Sequence, residues 1–238
     1  MVHTAKINQI PDCFNCPIKD CTLLKSCNGD SVKLINENKK FVQYRKGEYL
    51  IHEGSVLENV YFIYDGKLKV TSTGIYGKQQ IKRLAKTGDF VGFRGLVNSH
   101  PMSASIITLS ETYVCTLNKT LFTAILRSNP DLLFNTFMFL MEEFHKVEIR
   151  MKNLTTMNVR EKVAEALLFI FEAFGNRETG ELEIELSRQE IAEIAMTTKE
   201  QVSKCLSEFA DEGKIEMKGK KIVLSDLQEI FHLTGNIF

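Results

Sequence analysis

The sequence predicts an α+β protein: an N-terminal double-stranded β-helix, or jelly roll, then one long helix, then a small helical domain that ends in a β-hairpin. Three observations predict this order: short alternating apolar runs between glycines, an apolar heptad pattern, and two short helices with capping signals. The expected divisions are a cysteine-rich segment at 1–30, the β domain at 31–127, the long helix at 128–157 and the C-terminal domain at 158–238.

Composition indicates the compartment. The chain has 238 residues, 44% of them hydrophobic, which suffices for packed cores, but no apolar run is long enough to cross a bilayer. Its first ten residues lack the apolar core of a signal peptide. We therefore expect a cytoplasmic protein without a membrane partner, in a compartment where structural disulfides are rare.

The β domain is predicted from the alternation of apolar and polar residues in "KFVQYRKGEYLIHEGSVLENVYFIYDGKLKVTS" and in the runs that follow to about residue 121. Gly47, Gly54 and Gly66 lie at turn positions. Short strands at near-regular spacing are typical of a β-sandwich or jelly roll. Asp65-Gly66, between "VYFIY" and "KLKVT", predicts a β-hairpin.

The long helix carries an apolar seam with alternating steps of four and three residues. The seam consists of Leu133, Phe137, Leu140, Phe144, Val147, Met151 and Leu154. Pro130 lies near the start, where a helix tolerates proline. A heptad seam of this length predicts a partner helix, and a homodimer is the simplest case. The alternative is that the helix packs on its own β domain.

The C-terminal domain has the signals of a winged helix-turn-helix. Ser187 and Glu190 form a capping box before a short helix, "MTT" predicts a tight turn, and Thr198 caps a second helix that ends near Gly213. The stretch "KIEMKGKKIVLS" then predicts a β-hairpin, the wing, that turns at 218–220. Two helices joined by a short turn and followed by a hairpin are typical of a DNA-binding domain.

The residues that we expect to contact DNA lie at the start of the second helix and in the wing. The first group supplies side chains for base edges and the second supplies cations for phosphates. They are Thr198, Lys199, Glu200, Gln201, Ser203 and Lys204 on the helix, and Lys218 and Lys220 in the wing.

Charge argues against part of this prediction. The chain is neutral overall, but residues 1–157 hold 20 basic and 14 acidic residues, a net +6, and residues 158–238 hold 10 and 16, a net −6. DNA-binding domains are usually basic. A C-terminal domain that contacts protein instead of DNA is therefore the contrasting hypothesis.

Four cysteines are concentrated in "CFNCPIKDCTLLKSC", at residues 13–27. In the cytosol such a group indicates metal binding or redox chemistry. Four thiolates suit an iron–sulfur cluster or structural zinc, and exposed thiols of low pKa suit a thiol switch. The alternative to a metal or redox site is that these cysteines are incidental thiols on an N-terminal leader. Cys205, between Val202 and Leu206, is expected in the core, and the five histidines show no paired metal-ligand spacing.

The chain resembles the CRP/FNR superfamily of bacterial transcription regulators over nearly its whole length. The resemblance is carried by "GDFVGF" at 88–93, by the long helix, and by "LSRQEIAEIAMTTKEQVSKCLSEFADEGKI" with "KGKKIVL" after it. It implies a homodimer that binds a palindromic site on double-stranded DNA, with RNA polymerase as a partner. We find no catalytic motif and expect no enzyme.

Departures from the family pattern argue against cyclic AMP as the effector. The nucleotide-binding branch has a glutamate for the ribose and an arginine for the phosphate, and the corresponding residues here are Phe93 and Met102. The candidate effector-pocket residues are Gly92, Phe93, Arg94, Met102 and Ser103.

The cysteines are similar to those of the FNR-like branch, which implies an oxygen-labile [4Fe-4S] cluster that favours the dimer. The implied ligands are Cys16, Cys21, Cys27 and Cys115, with Cys13 as the alternative to Cys16. The alternative function is a CRP-like regulator that responds to another small effector or a haem-bound gas, with its N-terminal cysteines binding zinc or acting as a thiol switch.

Overall fold

The computed structural model describes residues 10–96 and 100–234, apart from the side chain of Cys21. The chain divides into two compact units. The first comprises Met1–Val70 and Ala85–Glu142, and the second comprises Thr71–Leu84 and Glu143–Phe238. None of the described helices is long and apolar enough to cross a membrane.

The β domain contains two four-stranded sheets. In chain order its strands are β1 (Lys40–Tyr44), β2 (Tyr49–Ile51), β3 (Asn59–Asp65), β4 (Lys67–Thr73), β5 (Gln79–Lys86), β6 (Phe90–Val91), β7 (Ser105–Thr108) and β8 (Thr112–Asn118). One sheet has the order β1-β8-β3-β6 and the other β2-β7-β4-β5. This arrangement confirms the predicted mixed architecture with a β-sheet N-terminal domain.

The helices and the wing complete the chain. Their bounds are α1 (Gly29–Asn38), α2 (Lys119–Ser128), α3 (Pro130–Thr156), α4 (Val159–Phe174), α5 (Arg188–Ala195), α6 (Lys199–Asp211), β9 (Ile215–Lys218), β10 (Lys221–Leu224) and α7 (Leu227–Leu233). The predicted heptad helix is α3, and the predicted helix-turn-helix is α5 and α6.

Two apolar clusters form the cores of the first unit. The first core cluster consists of Leu50, Ile51, Leu57, Ile63, Leu68, Ala85, Val91, Met102, Ile106 and Val114. The second core cluster consists of Ile35, Val60, Phe62, Phe90, Leu117, Phe122, Ile125, Leu126 and Leu132. The second cluster joins α1, α2 and the start of α3 to one sheet, and therefore it fixes the helices that surround the N-terminal cysteines.

The hairpin predicted at Asp65-Gly66 is wrong. Strand β3 pairs with β8 and β6, whereas β4 belongs to the other sheet. Gly66 has a φ of 131°, and a Cβ atom there would lie 2.8 Å from Thr112 Cα. The chain therefore crosses between sheets at this turn, which only glycine permits because the backbone is crowded and left-handed.

Most of the apolar seam on α3 is exposed in the single chain. Phe137 is 55% exposed and Met151 is 63% exposed, and Leu133, Phe144 and Val147 are also exposed. Leu140 is half-buried.

Leu154 departs from the predicted seam, because it is only 8% exposed. Arg150 and Asn153, which share its helix face, are buried too. The last turns of α3 therefore pack inside the second unit, and the exposed seam ends at Met151.

Candidate functional site

The helix-turn-helix is built by local hydrogen bonds that the sequence predicts. Ser187 accepts from the Glu190 backbone N–H, and Glu190 accepts from the Ser187 N–H, which closes a capping box at the start of α5. Thr198 and Gln201 close the same arrangement at α6. Met196, between the two helices, adopts a left-handed conformation with a φ of 51°. That conformation is unusual for a side chain with a Cβ and makes the turn between α5 and α6 tight.

Helix α6 has one buried and one exposed face. Val202, Cys205, Leu206 and Phe209 are buried. Cys205 is 6% exposed, in agreement with its predicted place in the core. The predicted DNA-contacting residues on α6 lie on the other face: Thr198, Lys199, Glu200, Gln201 and Lys204 are exposed, and Ser203 is half-buried.

Two of these side chains also take part in the helix cap. The Gln201 amide oxygen accepts from the Thr197 hydroxyl and, at 3.4 Å, from the Thr198 backbone N–H. Hydrogen bonds from its own backbone N–H and from Thr198 lower the pKa of Glu200, so this carboxylate is charged. Gln201 therefore keeps its amide N–H groups for a base edge, whereas its oxygen is used locally.

The wing presents its lysines at the tip. Gly219 has a φ of 65° at the turn between β9 and β10, and Lys218 and Lys220 flank it with exposed side chains. Lys218 Nζ lies 3.1 Å from Glu216, and on α6 Lys204 Nζ lies 4.0 Å from Glu208. Exposed pairs of this kind contribute little, so both lysines are available to phosphates or bases.

One arginine of the domain pairs with two of its carboxylates. Arg160 on α4 pairs with Glu208 at 2.8 Å and with Glu212 at 2.6 Å. Its guanidinium group also lies 4.7 Å from the centre of the Phe209 ring. These contacts connect α4 to α6 and hold two carboxylates in place, but the net charge of −6 already includes Arg160 and is unchanged by the pairing.

The candidate effector-pocket residues differ in burial. Met102 is 6% exposed and belongs to the first core cluster, whereas Arg94 and Ser103 are exposed. Phe93 packs against Phe139 of α3, with ring centres 5.6 Å apart. Met102 therefore fills the interior at the position where the family pattern has a phosphate-binding arginine.

The cysteines form the second candidate site. Cys13, Cys16 and Cys115 line one cavity in the first unit. Cys27, together with Cys13 and Cys115, packs against the second core cluster. Cys21 ends a short 3₁₀ turn, Lys19–Cys21, and its side chain lies outside the described residues. The described side chains include no group of three in metal-coordinating range.

Burial favours the protonated form of three of these thiols. It raises the pKa of Cys115 to about 12 and that of Cys27 to about 11, and it also raises the pKa of Cys16. A reactive thiol switch requires the opposite, a lowered pKa with access to solvent.

Sequence reasoning missed Lys39 at this site. The Lys39 side chain lines the cavity, and its Nζ lies 3.1 Å from Cys13 Sγ. One signal was available: "SVKLINENKK" places Val32 and Ile35 on one helix face after Asn28, a good N-cap, so that a helix preceding Lys39 was predictable.

Comparisons with known proteins agree with both halves of the fold. The cyclic nucleotide-binding domain family matches residues 41–129, and the Crp-like helix-turn-helix domain family matches residues 161–230. A CRP-like cAMP-activated global transcriptional regulator of Mycobacterium tuberculosis is 24% identical over 191 residues, which cover 79% of this chain and 85% of that protein.

Two further similarities cover most of the chain. The anaerobic regulatory protein of Aggregatibacter actinomycetemcomitans is 25% identical over 229 residues, 94% of this chain and 88% of that protein. The solved structure of FixK2 from Bradyrhizobium japonicum has a TM-score of 0.72 at 23% identity and covers 82% of this chain and 96% of that one. The two domain families follow each other in the order that the fold shows, and the chain therefore belongs to the CRP/FNR family of transcription regulators, which bind DNA and are not enzymes.

Proposed function

We propose that this regulator responds to oxygen or redox state through a cysteine-ligated [4Fe-4S] cluster rather than to cyclic AMP. The observation that carries the proposal is the placement of Cys115, which lies on β8 and lines the same cavity as Cys13 and Cys16. If the N-terminal cysteines were incidental, there would be no reason for a cysteine of the β domain, remote in sequence, to lie beside them.

The donor set fits such a cluster. Cysteine thiolates are its usual ligands, and this region offers Cys13, Cys16, Cys27 and Cys115 among the described side chains. Cys21 is a further candidate by sequence. When bound, the cluster would supply a redox-active centre. The cavity that Cys13, Cys16 and Cys115 line has a volume of about 30 Å³.

Cyclic AMP is the less suitable effector. A phosphate needs a cation in the interior, and the residue at the position of the family's phosphate-binding arginine is Met102, which is buried in the first core cluster. The relative from Mycobacterium tuberculosis is described as cAMP-activated, and the one from Aggregatibacter actinomycetemcomitans as an anaerobic regulatory protein. The chemistry of this chain favours the second kind of signal.

Zinc is the second candidate, because four thiolates also form a tetrahedral zinc site. Such a site would stiffen the N-terminal segment without sensing oxygen. A thiol switch is less favoured, since burial raises the pKa of Cys16, Cys27 and Cys115.

The active form is expected to be a homodimer on a palindromic DNA site, with RNA polymerase as its partner in transcription. The exposed seam on α3 supports the dimer, because a row of apolar side chains on one helix face favours burial against a second copy. In a dimer two copies of α6 would face two half-sites.

The test is to purify the protein without oxygen and to measure iron, sulfide, zinc and visible absorbance before and after exposure to air. A gel-shift with a palindromic site follows in both states. We expect a brown protein whose colour and DNA affinity fall together in air. A colourless protein with one zinc per chain, or DNA binding that air does not change, would contradict the proposal.

A further inference from the structure

Lys39 is a buried cation at the cysteine site. It follows α1, is only 7% exposed, and its backbone N–H donates to Ile35 O at 2.9 Å. Its ammonium group donates to Cys13 Sγ at 3.1 Å and to Asn36 Oδ1. A buried ammonium group is costly unless charged or polar partners surround it.

Asn36 and Lys39 hold Cys13 from two sides. Asn36 Oδ1 accepts the Cys13 backbone N–H at 2.9 Å, while Lys39 binds the sulfur of the same residue. Asn36 lies in α1 and Lys39 directly follows it, and α1 is anchored in the second core cluster through Ile35. The position of Cys13 is therefore set by a helix and not only by the N-terminal segment.

Cys16 is held differently. Its sulfur accepts a backbone hydrogen bond from Ile18, within its own segment. Cys16 lines the cavity, but in the described part of the chain the cysteines that pack against the second core cluster are Cys13, Cys27 and Cys115.

The charges of the side chains that line the cavity favour a negatively charged group inside it. Among the described residues that line it are Lys19 and Lys39, and no aspartate or glutamate is among them. Thiolate sulfur is one source of the negative charge that would complement these two cations, beside Asp12, whose charge acts on Cys16. A cluster held by four thiolates carries a net negative charge and would provide it. Nearby charges and hydrogen bonds to the ligand sulfurs adjust the reduction potential of such clusters.

We propose that Lys39 is a positioning residue for the cysteine site, and that it selects Cys13, rather than Cys16, as the ligand that joins Cys21, Cys27 and Cys115. This inference rests on the proposed function and deepens it. Cys16 then remains a cavity-wall thiol outside the ligand set.

The test compares anaerobically reconstituted wild type with Cys13→Ser, Cys16→Ser, Lys39→Met and Lys39→Arg. Lys33→Met is the matched control, because Lys33 lies on the same helix and is exposed. Iron and sulfide per chain, visible absorbance and the midpoint potential are measured, and far-UV circular dichroism reports folding.

We expect wild type, Cys16→Ser and Lys33→Met to bind about four iron atoms per chain, and Cys13→Ser to fall below about one. Lys39→Met should hold less iron, and the iron that remains should have a more negative midpoint potential, because a cation that favours the reduced state is lost. Lys39→Arg keeps the cation, so its midpoint potential should lie between those of Lys39→Met and wild type. A purely structural role of Lys39 would not predict this difference.

The outcomes separate the two proposals. Wild type that binds no iron overturns the proposed function and this inference with it. Wild type that binds iron while Cys16→Ser loses it and Cys13→Ser keeps it overturns only the choice of Cys13. A folded Lys39→Met with wild-type iron and potential overturns the role of Lys39. If Lys39→Met does not fold, Lys39→Arg and the two cysteine variants decide.

Discussion

Lys204 and Lys220 carry the same charge but lie on different elements of the DNA-binding domain. Lys204 is exposed on the second turn of α6, the helix that this domain type places in the major groove. Lys220 is exposed at the tip of the wing, after Gly219. Lys204 should therefore contact base edges and Lys220 should contact phosphate.

The two lysines lead to different mutant phenotypes. Lys204→Ala should weaken binding to the specific site by about 1–3 kcal/mol and relax base preference, whereas Lys220→Ala should weaken binding to all sequences about equally. Gel-shift titrations on palindromic and random DNA measure both effects. If the two variants affect specific and random DNA alike, the orientation assigned to α6 is wrong.

Cys115 and Cys205 provide a matched pair for the cysteine site. Both are partly or fully buried, but Cys115 lines the cavity and Cys205 lies in α6. Cys115→Ser should remove the visible absorbance of the anaerobic protein, and Cys205→Ser should leave it unchanged, because only Cys115 offers a ligand. Intact absorbance in Cys115→Ser would mean that all ligands lie in the N-terminal segment.

The sequence alone did not predict the contacts at the cysteine site. The cysteines were recognisable from their spacing, but the contacts that distinguish Cys13 from Cys16 come from Lys39 and Asn36, more than twenty residues along the chain. Nothing in a single sequence marks a lysine as buried, because most lysines are exposed.

The element that we expect to form the dimer is α3. Its exposed seam was predictable because a heptad repeat is a property of the sequence alone. The burial of Leu154 was not, since it results from packing within the second unit.

A charge in the seam should separate the dimer. Phe137→Glu should raise the dimer dissociation constant by about thirtyfold or more, since it replaces a buried aromatic at an interface at a cost of roughly 2 kcal/mol or more. Analytical ultracentrifugation measures the change, and His145→Glu, an exposed polar position on the same helix, is the control. Equal dissociation of both variants would mean that the seam is not the interface.

Local signals predicted some elements well and others poorly. The capping boxes at Ser187 and Thr198 are short-range patterns, and both are present in the structure. The Asp65-Gly66 hairpin was wrong because two runs flanking a turn do not specify which sheet each strand joins. Helices α1, α2 and α7 were missed, since each has ten residues or fewer and gives only a short periodic signal.

At the scale of the whole molecule, the charge distribution limits how DNA is bound. The C-terminal domain, residues 158–238, has a net charge of −6, and its exposed lysines lie on α6 and the wing, while Arg160 pairs with Glu208 and Glu212. Affinity should therefore come from few phosphate contacts and from base recognition.

Salt dependence measures this directly. Two wing lysines in each subunit of a dimer would give about four phosphate contacts, and so log K should fall against log salt with a slope of about −4. A salt titration of specific and random DNA with wild type and Lys220→Ala gives the slopes, and the variant should be shallower by about two in the dimer. A slope near zero, or no binding at low salt in any redox state, would favour a domain that contacts protein instead.

The sequence by itself determined the order of domains, the heptad helix, the two capping boxes and the cluster of cysteines, because each is encoded in neighbouring residues. Only the tertiary structure decided which sheet receives β3 and β4, that Met102 lies in an apolar core, that Cys115 joins the N-terminal cysteines, and that Lys39 binds Cys13. These depend on contacts between residues far apart in the chain, and such contacts are set by how the whole core packs.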